Sequence, residues 1–167
     1  MGADASGRKA TQVEELQSRI GLLVRSGYTG LALLSSEEDR CADILERVAL
    51  DLGRKVYVWS MTQGWTYRGT IIGLADEAPM LEGDEDIKRM QAPVDALDAI
   101  LRHACGRPLI LILKDIAGYF NEPKVLRKMA DVMSGGQPWT IAFVTPKTGL
   151  PPALEKDIAL VEVPLPD

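Results

Sequence analysis

The apolar positions of this chain change period along its length, and the changes predict helices alternating with buried strands. From Thr11 to Arg25, Val13, Leu16, Ile20, Leu23 and Val24 recur at helical spacing, and Gly27 follows where such a helix can end. Thr29 to Leu34 is a short apolar run suited to a buried strand. Cys41, Ile44, Leu45, Val48 and Leu52 then share one helical face, stopped by Gly53. Lys55 to Ser60 is β-branched and aromatic and predicts a second strand. Pro93 suits the first turn of a helix reaching Ala104, with Val94, Leu97, Ile100 and Leu101 inward. Pro108 to Leu113 is the most apolar run and predicts a central parallel strand covered on both faces. A helix over Glu122 to Met133, a strand over Trp139 to Thr145, a helical turn at Pro151 to Lys156 and a strand over Ile158 to Val163 complete the pattern.

This alternation predicts an α/β three-layer sandwich around a mostly parallel five-stranded sheet. Residues 1–10 are small and polar and are expected to form a disordered lead-in, leaving 11–167 as a single α/β domain. Between Met61 and Met90 the pattern loosens. Gly64, Gly69 and Gly73 bracket Thr70-Ile71-Ile72, which suits either a short hairpin strand or part of an irregular excursion, and an acid-rich stretch runs from Asp76 to Asp86.

Composition narrows the function classes. The 167 residues suffice for a core without staples, and the net charge of −5 argues against general binding to nucleic acid or anionic membranes. No apolar run approaches the ~18 residues of a membrane span. Residues 1–10 lack the apolar segment of a secretory signal, so the expected compartment is the cytoplasm. Cys41 and Cys105 fall in different predicted helices without C-x-x-C spacing and read as small apolar core residues.

The turn after the first strand carries the most chemistry. In an open α/β sheet this turn is the favoured place for a phosphate, and a nucleotide hydrolase puts G-x-x-x-x-G-K-[ST] there. Here the sequence is Ser35-Ser36-Glu37-Glu38-Asp39-Arg40. Ser35 and Glu38 have the spacing of a capping box, and the three acids complement a helix dipole. At ~8 Å and an effective dielectric near 20, each would repel a phosphate charge by about 2 kcal/mol before screening. Arg40 could offset one acid.

The strand Leu109 to Leu113 ends in Lys114-Asp115. A hydrophobic strand ending in acid can position magnesium in nucleotide hydrolases. The companion acid that would orient a water is absent, since Ile116 follows, and Lys114 sets a positive charge beside the carboxylate. The 76–86 acids lack the calcium-loop pattern. His103, the only histidine, has no companion from which to build acid–base chemistry. Trp65 and Tyr67 lie in the loosened segment, where exposed aromatics can mark a partner site.

Several phrases, in order, resemble one family: Glu14-Glu15-Leu16, Tyr28 leading to Leu31 through Glu38, Val56 through Gly64, Pro93 through Leu97, Ile112 through Asp115, Leu150 through Asp157, and Pro164-Leu165-Pro166. They resemble the bacterial and chloroplast AAA-type proteins in which a degenerate AAA-like domain, a P-loop-NTPase core without its Walker A loop, precedes an active ATPase. The resemblance implies a non-catalytic module acting by protein binding or regulation, without cofactor or catalytic residues. It also implies a protein partner, foremost an AAA ATPase. The alternative is a nucleotide-binding protein completed by an ATPase chain or domain in trans, and only then would Asp115 bind the cofactor's metal. A lid and an active ATPase are expected beyond such a domain, so the chain is either stand-alone or one part of a longer polypeptide. The last strand's edges, the 61–90 segment and the helix around Leu126 are the expected contact surfaces.

Overall fold

The computed structural model describes residues 4–68, 90–104, 106–134, 136–146 and 149–165. Among the described residues the α-helices are α1 (Asp4–Arg25), α2 (Glu38–Leu52), α3 (Pro93–His103) and α4 (Pro123–Met133). The strands are β1 (Gly30–Leu34), β2 (Val56–Ser60), β3 (Gly64–Tyr67), β4 (Ile110–Leu113), β5 (Thr140–Thr145) and β6 (Ile158–Glu162). They form one sheet in the order β3-β2-β4-β5-β1-β6, parallel except for β3.

Side-chain alternation along these strands builds two cores, one on each face of the sheet. Leu31 and Leu33 of β1, Val56 and Val58 of β2, and Ile110 and Ile112 of β4 meet Ile20 and Val24 of α1 and Ile44, Leu45 and Val48 of α2. The intervening residues Ala32, Tyr57, Trp59, Leu111 and Leu113 face Leu97 and Ile100 of α3 and Val125 and Met129 of α4. The three-layer α/β sandwich is therefore as expected. Trp139 locks the second layer, its indole Nε1 donating to the Val132 carbonyl at 2.8 Å in the buried end of α4.

The sheet has six strands rather than five. Ser60 Oγ accepts from the Gln63 amide at 3.2 Å, and Gly64 takes φ 70°, so a three-residue loop turns β2 back into β3. Trp65 and Tyr67 then point into the α3/α4 core. Trp65 is buried, with Nε1 donating to the Ala96 carbonyl at 3.3 Å, and Tyr67 packs on Tyr57 with ring centroids 5.2 Å apart. They fill the sheet's flank and do not mark an exposed partner site. The expected hairpin strand at 70–72, the acids of 76–86 and Cys105 lie outside the described residues.

At the N-terminus α1 begins at Asp4, earlier than the Thr11 start that the apolar spacing predicts. No proline interrupts this stretch, and Ala5, Arg8, Lys9 and Ala10 are good helix formers. Among the described residues no helix is long and apolar enough to cross a membrane.

Candidate functional site: the cleft at the strand ends

The five parallel strands end on one side of the sheet. There β1 runs on into α2 over one face, while β4 leads into α4 over the other. The crevice beside such outgoing chains is where open α/β sheets bind ligands. An open cleft of about 790 Å³ lies there, lined by Ser36–Arg40, Ser60–Gln63, Lys114 and Asp115. The fold thus brings together the two stretches singled out in the sequence.

The turn after β1 is built differently from a capping box. The Ser35 amide donates to the Thr145 carbonyl at 3.1 Å, continuing the β1–β5 ladder, so Glu38 cannot reach back to it. The chain needs two more residues to leave the sheet, and α2 starts at Glu38 behind Glu37, which makes no side-chain cap. Ser35 Oγ instead accepts from the Glu37 amide at 3.0 Å, closing a tight side-chain turn. Glu38 and Asp39 remain in the first turn of α2, where they complement the dipole.

Charges organise the cleft. Lys114 Nζ lies 2.9 Å from Asp39 Oδ1, bridging the end of β4 to the start of α2. That contact holds the Asp39 carboxyl below its ordinary range, by hydrogen bond and by charge. Glu38 is pushed upward, first by burial and then by the neighbouring Asp115 charge, with Lys114 pulling the other way. Asp115 Oδ2 accepts from the Met61 amide at 2.8 Å, tying the end of β4 to the β2–β3 loop. Arg40 lies 3.7 Å from Glu37 and donates to the Pro164 carbonyl, so it holds the chain leaving β6 against α2. Gln91 Nε2 braces the same β2–β3 loop through the Thr62 carbonyl at 2.9 Å, and Tyr119 Oη reaches Met61 Sδ at 3.7 Å.

Lys114, the cation at the end of β4, is therefore paired with a carboxylate of the protein itself. Among the described residues no group of three potential metal ligands comes together. His103 is exposed in the last turn of α3, and Cys41 is a buried free thiol raised by that burial. The partnership of Lys114 with Asp39, 75 residues apart, has no local pattern in the sequence. Its available signal was that parallel strands deliver their outgoing turns to one edge.

Residues 16–163 match the profile of the family described as SpoVK-like AAA ATPase, N-terminal domain. The chain belongs to that family. Curated relatives include the uncharacterized AAA domain-containing protein ycf46 of Trieres chinensis, 25% identical over 148 residues, covering 87% of this chain and 27% of that protein. The Pyropia yezoensis protein of the same description is 26% identical over 148 residues, with the same two coverages. The chain thus spans about a quarter of the length of these relatives. Among solved structures, a chain from the structure of Drosophila ORC bound to AT-rich DNA and Cdc6 superposes with a TM-score of 0.54 at 15% identity. The overlap covers 96% of this chain and 58% of that one. A chain from the GC-rich DNA complex gives a TM-score of 0.53 at 15% identity, covering 96% and 59%. These likenesses support the P-loop-NTPase, AAA-like fold of this family member.

Proposed function

We propose that this AAA-like domain is a non-catalytic binding or regulatory module, working in the cytoplasm on a protein partner, foremost an AAA ATPase. The observation that carries the reading is the Lys114–Asp39 ion pair across the cleft, with Glu38 and Asp115 beside it. A nucleotide's phosphates would have to displace a carboxylate from Lys114 and then face the remaining acids. The family's name and the greater length of the relatives make an ATPase domain the natural partner. Calorimetric titration with ATP and Mg²⁺ tests this: no binding tighter than millimolar is expected, and micromolar affinity overturns it.

One observation favours a second reading, in which the cleft takes part in nucleotide chemistry completed in trans. Asp115 lies two residues beyond the end of the apolar strand β4 and lines the cleft. With an ATPase partner present, Asp115→Asn separates the two readings. It leaves turnover unchanged if the domain is a binding module and abolishes it if Asp115 holds the nucleotide's metal.

A further inference from the structure

Strand β6 forms one edge of the sheet. Its inner side pairs with β1, and no described strand takes its outer side. In a parallel ladder, the amide and carbonyl of alternate residues point to the same neighbouring strand. The Val163 amide donates to the Leu34 carbonyl at 3.2 Å, so Ala159, Val161 and Val163 are turned toward β1. Ile158, Leu160 and Glu162 therefore present both backbone groups outward. The described chain flanking residues 69–89 is anchored at the opposite flank. There the Arg68 amide donates to the Val56 carbonyl at 3.0 Å, and the Met90 carbonyl accepts from Trp59 Nε1 at 2.8 Å.

Leu160 is 38% exposed, although it shares a sheet face with the buried Ala32 and Ile158. Natural sheets blunt such edges with charge or proline. Here Pro164, with no N–H, closes the edge just beyond β6. The strand itself stays open from Ile158 to Glu162, with Leu160 at its midpoint.

We propose that two copies of this chain pair antiparallel through β6, about a two-fold axis at Leu160, and join their sheets into one. A closed two-fold contact requires a patch that complements itself, and this edge does. A two-fold at Leu160 overlaps β6 along its whole length, setting Leu160 opposite its counterpart and Ile158 opposite Glu162. The outward residues of each copy then exchange both backbone bonds with the other. The two Leu160 side chains cover each other, and Ala159 meets Val161 on the other face. Lys156, exposed in the helical turn before β6, comes diagonal to the Glu162 of the second copy, about 7–8 Å away and within reach of long side chains. A two-fold moved to Glu162 would instead set like charges face to face. The charges thus select both the register and a second copy as occupant, independently of the cleft and of the ATPase partner.

The test is sedimentation equilibrium of the folded chain from micromolar to submillimolar concentration, with amide hydrogen exchange at both ends of that range. So short an edge buries less than a standard interface, and dimerisation is expected at roughly 100 µM. The Leu160 and Glu162 amides should gain protection with concentration, whereas those of Val161 and Val163, already bonded to β1, should change little. Leu160→Lys sets like charges opposite each other and should weaken the dimer about tenfold or more. Leu50→Lys, at an exposed leucine of α2, should leave it unchanged. Leu160→Pro removes an outward amide while sparing the ladder to β1, and should also dissociate the dimer. If that variant fails to fold, Leu160→Lys still decides. Glu162→Lys should weaken the dimer, and adding Lys156→Glu should restore it. A monomer throughout the range overturns the proposal and leaves the edge to a strand of another protein. A dimer undiminished by Leu160→Lys, equally weakened by Leu50→Lys, or not restored by the charge exchange overturns it as well.

Discussion

Gly30→Ala is expected to destabilise the protein although the backbone conformation at this site admits alanine. Gly30 opens β1 between β5 and β6, and its φ is not positive. On conformational entropy alone, glycine to alanine at such a site stabilises by about 0.4–1 kcal/mol through the unfolded chain. Here an added Cβ would lie 2.9 Å from Ile158 Cγ1, 3.0 Å from the Asp157 carbonyl oxygen and 3.1 Å from Met133 Cε. Met133 can rotate away, but the Asp157 carbonyl belongs to the backbone entering β6. The crowding should reverse the sign and cost about 1–3 kcal/mol, the range for an overpacked core. For a chain of this length the melting temperature should fall by roughly 2–12 °C. Gly118→Ala is the matched control, because nothing lies within 4 Å of its added Cβ and its φ is also not positive. Urea denaturation of both variants is the assay. Gly30→Ala at or above wild-type stability would refute the close approach of β6 to β1.

Three further outcomes follow from the cleft and the core. Glu38→Gln should stabilise the fold at neutral pH. The native carboxyl titrates above its unfolded value, so ionised Glu38 opposes folding; the gain should vanish near roughly pH 3, where both states are protonated. Urea midpoints at the two pH values measure it. Asp39 is depressed, so its contribution is present above the unfolded carboxylate range and fades as pH falls through the native value. Lys114→Ala should return the Asp39 carboxyl to its ordinary titration, read by carbon-detected NMR. Trp139→Phe should lose about 1–3 kcal/mol in denaturant titration, because the Val132 carbonyl loses its buried indole donor.

The architecture was legible because parallel strands covered on both faces read as apolar runs, as Pro108 to Leu113 does. Gly53 and Pro93 punctuated their helices as their conformations require. The strand β3 escaped because four residues between a loop and Arg68 give too short a pattern. The Ser35–Glu38 spacing suggested a capping box, but pairing with β5 consumed the Ser35 amide, a tertiary contact no local motif reports. The site was half legible. The acids after β1 and Lys114-Asp115 were visible separately, whereas their meeting depends on the strand order.

The claim that this cleft is closed to nucleotide is tested most directly by amide NMR during titration with Mg²⁺ and ATP, following Ser36–Arg40, Ser60–Gln63, Lys114 and Asp115. The account predicts no saturable shift at these amides below millimolar nucleotide. Saturation there at micromolar concentration, with Lys114 released from Asp39, would contradict it.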